Sequence, residues 1–249
     1  MRERRFLIDP ADLREGKAFV RGAELHHLTR VLRLRQGDEV AVFDGQGTGF
    51  RGTIESLDAA QGIISLGERE DPGVEPRTRI TLLQGIPHGD RMDLIVEKAT
   101  ELGASRIVPV VSERSVVKPR SSGWGRLDRW RRIAISAAKQ SGRLIVPEIA
   151  EPVAFDAALA LPPDPSATRI IFHTAVGTPE AGRAISRAGP DASVLILIGP
   201  EGGFTDSEFA AALSAGWRAA SLGPRTLRAD TAAVAALTLM LSLAGEMER

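Results

Sequence analysis

The chain has 249 residues, 43% of them hydrophobic and 26% charged, which is room for a small domain beside a medium one and excludes an intrinsically disordered protein. It contains no cysteine, so a disulfide scaffold, a thiolate nucleophile and a cysteine metal site are all excluded. Formal net charge is zero, but residues 1–35 hold nine Lys or Arg against five Asp or Glu, and residues 106–143 hold ten against two. Two basic segments on an otherwise acidic body fit a phosphate-binding face, and on charge alone they fit two solvated surfaces equally well.

No apolar run long enough for a signal peptide follows the first five residues, so a cytoplasmic location is expected. The first 70 residues read as short apolar runs divided by Gly: Glu39–Phe43, Gly49–Ile54 and Gly62–Leu66. This texture predicts antiparallel strands of a small barrel. One helix is expected among them, Ala23 to Leu34, with Leu25, Leu28, Val31 and Leu32 on its buried side. The neighbouring His26 and His27 do not form a metal site, because adjacent helical residues diverge by roughly 100°.

Asp71-Pro-Gly-Val-Glu-Pro76 is a linker by composition. After it the pattern alternates. Strands are predicted at Arg79–Gln84, Arg106–Val111, Arg169–Phe172, Ser193–Ile198 and Ala219–Leu222, and the unbroken apolar run Val194–Ile198 suggests a strand covered on both faces of a parallel sheet. Between the first two strands, Met92, Ile95, Val96, Ala99 and Leu102 form one helical stripe opposite Asp93, Glu97 and Glu101. The domains are therefore expected at 1–71 and 78–249 with a linker at 72–77. Thr231–Ala244 is uncharged but too short to span a bilayer, and reads as a buried helix.

Arg129, Arg132, Lys139 and Arg143 share one face of a helix expected between Arg126 and Arg143. With Arg30, Arg33 and Arg35 they are the candidate phosphate contacts, and nucleic acid rather than a membrane is the expected partner. Trp124 is a candidate for base stacking, whereas Trp130 falls on the apolar stripe with Leu127, Ile133 and Ala137 and reads as core.

The most unusual stretch is Ile198-Gly-Pro-Glu-Gly-Gly-Phe-Thr205. A buried strand runs into two glycines that let the backbone turn and approach a ligand, and Thr205 with Glu208 has capping-box spacing for a following helix. No Gly-Lys-Ser/Thr follows, so this is not a phosphate loop. A second stretch, Ser221-Leu-Gly-Pro-Arg-Thr-Leu-Arg228, repeats the arrangement, with Asp230 or Thr231 as the expected cap and Arg225 and Arg228 on the loop.

The two stretches together resemble the signature of the RsmE family, SPOUT-class methyltransferases of bacterial 16S rRNA. The resemblance extends to His27-Leu-Thr-Arg-Val-Leu-Arg33, Gly37-Asp38, Phe43-Asp-Gly45, Glu97–Gly103, Ser112-Glu-Arg114 and Gln140–Arg143. It implies an α/β domain whose parallel sheet, with helices on both faces, threads into a trefoil knot, beside a PUA-like N-terminal barrel. It also implies S-adenosylmethionine as cofactor, held by Phe172, His173 and Thr174, by Gly199, Pro200, Glu201, Gly202 and Gly203, and by Leu222, Gly223, Pro224 and Leu227. Homodimerisation, with the helix from Asp230 onward contributing, and methylation of uridine N3 in the decoding region of the small subunit follow from the same resemblance.

The reaction is an in-line displacement in which a protein mainly aligns the partners. Negative charge developing on the uracil oxygens calls for a cation, with Arg228 the first candidate and Arg225 the second. Asp230 or Glu201, and further His173, are candidates to take the N3 proton. The chain has Ala229-Asp230 where the family has Thr-Glu, which weakens any role carried over to Asp230. The rival readings are an RNA-binding or ribosome-assembly protein without activity, and a SPOUT enzyme acting on another nucleotide or on ribose 2′-O. A dinucleotide-binding oxidoreductase lacks its Gly-x-Gly-x-x-Gly after the first strand.

Overall fold

A computed structural model of the chain describes residues 4–115, 126–161, 167–174 and 191–248, so Trp124 lies outside the described residues. Two compact units are present, Met1–Glu75 with Ile135–Val146, and Pro76–Ala134 with Pro147–Arg249.

The first unit is built on six strands: β1 (Arg5–Leu7), β2 (Leu13–Arg14), β3 (Lys17–Val20), β4 (Glu39–Phe43), β5 (Gly49–Leu57) and β6 (Gly62–Glu70), in the order β1-β4-β5-β6-β3-β2. All pairings are antiparallel except β1 with β4. Two register shifts in β5, at Phe50/Gly52 and Ile54/Ser56, bend the sheet around a core that includes Phe6, Val20, Leu28, Val42, Ile54 and Ile64.

The helix expected over 23–34 is shorter and changes type. Helix α1 (Gly22–His26) passes into a π-helical turn at His27–Val31, where the Leu32 N–H reaches back to the His27 carbonyl at 2.9 Å. The wider turn rotates the next residues off the apolar stripe. Leu25 and Leu28 are buried as expected, but Val31 is 58% and Leu32 38% exposed.

Two of the expected phosphate contacts are structural. Arg143 is 3% exposed, and its Nε and Nη2 donate to one Glu75 oxygen at 3.0 and 2.8 Å. The other Glu75 oxygen accepts from the Leu144 and Ile145 amides at 2.8 and 2.9 Å. A guanidinium enclosed in this way cannot reach a phosphate. Lys139 pairs with Glu24 in a half-buried site for the same reason. These pairs, with the small cluster of Phe43, Ala138 and Leu144, attach 135–146 to the first unit.

The second unit holds a parallel sheet of β7 (Arg79–Gly85), β8 (Arg106–Val111), β9 (Glu148–Ile149), β10 (Val153–Ala154), β11 (Thr168–Phe172), β12 (Ser193–Ile198) and β13 (Arg218–Ala220). The order is β10-β8-β7-β12-β11-β13, with β9 also on β8. Strand alternation sends Leu83, Val108, Val110, Ile171, Leu195 and Leu197 to one face, where Phe155, Leu159, Phe204, Ala212 and Trp217 cover them from α4 (Phe155–Leu159), α5 (Asp206–Ser214) and the flanking loops. Ile80, Leu82, Ile170, Val194 and Ile196 point the other way and are equally buried. On that side α6 (Ala229–Leu243) packs on β7, β12 and α2 (Arg91–Glu101). Remaining is α3 (Leu127–Ser141), whose residues fall to both units. Strand β13 ends two residues earlier than expected because the Gly223 amide donates to the Ser221 hydroxyl at 3.1 Å and opens a turn. Among the described residues, no helix is long and apolar enough to cross a membrane.

Arg143→Ala strands the Glu75 carboxylate and should lower unfolding free energy by about 3 kcal/mol in urea titrations, whereas Arg35→Ala on the exposed surface should change it by less than about 0.5 kcal/mol. Equal effects would remove the structural role assigned to Arg143.

Candidate active site

The C-terminal ends of β7, β11, β12 and β13 lie along one edge of the parallel sheet, and the loops that leave them carry the residues singled out in the sequence. After β12 the chain turns at once: the Gly203 amide donates to the Pro200 carbonyl at 2.9 Å, and Gly203 has φ +67°, a conformation that favours glycine. Thr205 then caps α5 with the expected capping box, its hydroxyl accepting from the Glu208 amide at 3.2 Å while Glu208 accepts from the Thr205 amide at 2.9 Å.

Residues after β8 brace this loop. The second Glu208 oxygen accepts from the Glu113 amide at 2.8 Å, and Arg114 Nη1 donates to the Gly202 carbonyl at 2.7 Å. The Glu201 carboxylate is committed elsewhere. Both its oxygens accept from the His88 amide at 3.1 Å, and one accepts from Arg91 Nη1 at 3.1 Å. It joins the loop to the start of α2, an anchoring arrangement rather than that of a free base.

The loop after β13 leads into α6 with Arg228 as N-cap, in extended backbone geometry and without a side-chain cap. Asp230 and Thr231, the expected caps, are already helical. Asp230 Oδ1 accepts from the adjacent Thr231 amide at 2.9 Å, and its charge lies in the first turn, where the helix dipole favours it.

His173 closes the third side. Its amide donates to the Ala220 carbonyl at 3.0 Å and its ring stacks on Phe209 with centroids 4.3 Å apart. Burial, aided by the positive charge of Arg114 and opposed by Asp206, holds the imidazole below its ordinary value of 6.5.

These loops enclose a cavity of about 350 Å³. All the expected cofactor residues except Pro224 line it: Phe172, His173, Thr174, Gly199, Pro200, Glu201, Gly202, Gly203, Leu222, Gly223 and Leu227. Arg225, expected to meet RNA, also lines it, whereas Arg228 and Asp230 do not. Among the lining residues that sequence reasoning missed are Arg114 and Asp206. For Arg114 a signal was present, since Ser112-Glu-Arg114 directly follows a strand of the same sheet. Apolar walls (Phe172, Ile198, Leu222, Leu227), peptide groups of the glycine loops, and the oppositely charged Arg114 and Asp206 suit a ligand that is partly flat and apolar and partly zwitterionic.

Of the remaining candidates, Arg30, Arg33 and Arg35 are exposed, and exposed Arg129 pairs with Asp93 at 2.5 Å. Exposed Arg132 bonds its own helix at the Asp128 carbonyl, 3.2 Å. Trp130 is core, as expected, with its Nε1 donating to Asp93 at 3.1 Å. Among the described residues, no three His, Cys, Asp or Glu come together in a metal-binding cluster.

Residues 74–241 match the family model described as an RNA methyltransferase domain, and residues 20–65 match an RNA methyltransferase PUA domain. The ribosomal RNA small subunit methyltransferase E of Synechocystis sp. is 34% identical over 239 residues, covering 96% of this chain and 77% of that protein. This chain belongs to the ribosomal RNA small subunit methyltransferase E family. The Bacillus subtilis member is 30% identical, covering 88% of this chain and 87% of its own. A crystal structure of the Neisseria gonorrhoeae methyltransferase E, bound to S-adenosyl methionine, superposes with a TM-score of 0.87 at 33% identity, over 97% of this chain and 98% of that one. The second unit carries the parallel sheet of the family's α/β domain, and the first holds the residues matched to the PUA domain, together with residues 135–146 from within the methyltransferase-domain match.

His173 is expected to titrate below 6.5 in NMR spectra of the imidazole-labelled protein. The unfolded ring binds its proton first as pH falls, so this group's contribution to stability is full above about 6.5 and declines below it. A midpoint at or above 6.5 would contradict the buried environment described.

Proposed function

We infer that the chain transfers a methyl group from S-adenosylmethionine to small-subunit ribosomal RNA, at N3 of a uridine in the decoding region of 16S rRNA. The observation that carries this reading is the convergence of both Gly-Pro loops and Phe172–Thr174 on one cavity, in a member of a family whose Neisseria representative is bound to that cofactor. The residues fit the group. The apolar walls would hold the flat adenine, and the peptide groups of Gly199–Gly203 with the charged Arg114 and Asp206 would hold the polar parts of the cofactor. When bound, the cofactor supplies a methyl carbon on a sulfonium that leaves as a neutral thioether.

The remaining chemistry falls to the chain. Among the described residues two cations line the cavity, Arg114 and Arg225; with Arg114 bonded to the Gly202 carbonyl, Arg225 is our first choice to offset negative charge on the uracil oxygens, ahead of Arg228, which lies outside the wall. Of the three groups considered for the N3 proton, Glu201 is held by His88 and Arg91, and Asp230 is bound to its own helix. His173, which lines the cavity and whose imidazole burial holds below its ordinary value, is the candidate we favour.

Several finer features belong to the same proposal. The threading of the β12 and β13 loops into a trefoil knot follows from the family. A homodimer through α6 is supported by its half-buried apolar face at Val234, Ala235 and Leu239 and by Leu243, which is 43% exposed. We assign an RNA-binding domain to residue 71, a linker at 72–77 and a catalytic domain from 78; the family-model matches at 20–65 and 74–241 support two domains, the second match beginning inside the assigned linker. The substrate is proposed to be 16S rRNA within the assembled or late-assembling small subunit, in the cytoplasm.

Incubation with labelled S-adenosylmethionine and unmodified small subunits, followed by nucleoside mass spectrometry, tests the reading. N3-methyluridine is expected from the wild type, with kcat at least about 100-fold lower in Arg225→Ala and less affected in Arg228→Ala. Label in another nucleoside or on ribose 2′-O would move the target; RNA binding without any label would overturn the proposed reaction.

A further inference from the structure

Between Leu28 and Leu34 the chain runs out to the surface of the first unit and turns back. Both leucines are buried, and the Leu34 amide donates to the Leu28 carbonyl at 3.0 Å, so the intervening residues are pinned as an arch by their two ends. The π-helical turn carries the chain outward, and the return is made by Arg33 at φ +54°, a left-handed conformation usually left to Gly or Asn. Thr29 Oγ1 donates to the Leu25 carbonyl at 2.8 Å and fixes the base of the arch. At its crest are two exposed apolar side chains, Val31 and Leu32. Around them His26, His27, Arg30, Arg33 and Arg35 are exposed, and the segment from Leu25 to Gly37 contains no carboxylate. The three arginines have no side-chain partner among the described residues. A rare helix type, a strained non-glycine residue and exposed apolar groups coincide in one short arch, a combination typical of working surfaces.

We propose that this arch is an RNA-docking knob in which Val31 and Leu32 pack against the faces of unpaired bases while Arg30, Arg33 and Arg35 take the flanking phosphates. The proposal rests on the reading of rRNA as substrate and adds the apolar contact to it. Charge decides the occupant: three arginines without an ion pair among the described residues match a polyanion, and two aliphatic side chains cover far less area than a stable protein interface needs. Base faces are apolar and can each be met by a single side chain. A paired A-form helix hides them, so the knob selects loops or bulges where bases are splayed out. Apolar wedges beside arginines serve this purpose in nucleic-acid binding generally.

The test uses the full-length protein and two synthetic RNA stems, one fully paired and one with a two-nucleotide bulge carrying 2-aminopurine. The wild type should bind the bulged stem more tightly and change its fluorescence. Val31→Ser/Leu32→Ser should bind the bulged stem about tenfold more weakly, at the level of the paired one, with no fluorescence change and the same salt slope. Arg30→Gln/Arg33→Gln/Arg35→Gln should weaken binding to both stems and flatten the slope of log K against log salt by about 2. Val31→Thr/Leu32→Gln, which keeps the side-chain volume, should behave like the serine pair and guards against a folding defect. Unchanged binding of the bulged stem by both apolar variants, an equal loss on both stems, or a change in self-association alone would overturn the knob. Methylation of small subunits by the wild type is scored separately, so the knob can fail while the reaction stands, or the reverse.

Discussion

The site depends on one close approach. Strands β7 and β12 are parallel neighbours, and where they end their backbones touch: a Cβ added at Gly85 would lie 2.5 Å from Pro200 Cδ and 2.7 Å from its nitrogen. Only a residue without a side chain lets the Gly-Pro turn lie directly over the end of the adjacent strand. Gln84, fully buried beside it, donates from Nε2 to the Gly85 carbonyl at 2.9 Å and to the Gly199 carbonyl at 3.3 Å, so the turn is held by the sheet it leaves. With its start fixed there, the loop can present peptide groups to a ligand without losing order when it does so.

The charged residues around the cavity divide by task. Glu201, Glu208 and Arg114 hold the first loop to α2, to the residues after β8 and to itself. These contacts commit the three side chains to holding the loop, and Arg225 and His173 line the cavity beside it. Charge-assisted hydrogen bonds to backbone groups are suited to this role, because they fix a loop's shape as well as its position. In the first unit the same device appears at Glu75, whose four accepted hydrogen bonds secure residues 143–145.

Much of this is legible in the amino-acid sequence because it is local. The run Val194–Ile198 announces a strand buried on both faces, the Thr205–Glu208 spacing announces a capping box, and the two Gly-Pro stretches announce the loops that line the cavity. The hidden features are set by contacts across long stretches of sequence. Arg143 sits in a basic segment with every outward sign of a surface residue, and only a carboxylate 68 positions away makes it buried. The attachment of Ile135–Val146 to the N-terminal unit has the same origin. The helix at residues 23–34 misleads for a different reason: its apolar spacing assumes 3.6 residues per turn, and one wider turn sends Val31 and Leu32 outward. Asp230 looks like a cap by residue type, yet the cap is decided by which residue is still extended, and that is Arg228.

Whether the loops seated on β7 and β12 form the cofactor site is decided by amide NMR with S-adenosylmethionine. Titrating the ¹⁵N-labelled protein should shift the amides of Gly199, Gly202, Gly203, Leu222, Thr226 and Leu227 together and to saturation, and Gly85→Ala, which displaces the Gly-Pro turn, should abolish the response. Shifts confined to the N-terminal unit, or an undiminished response in Gly85→Ala, would contradict the account.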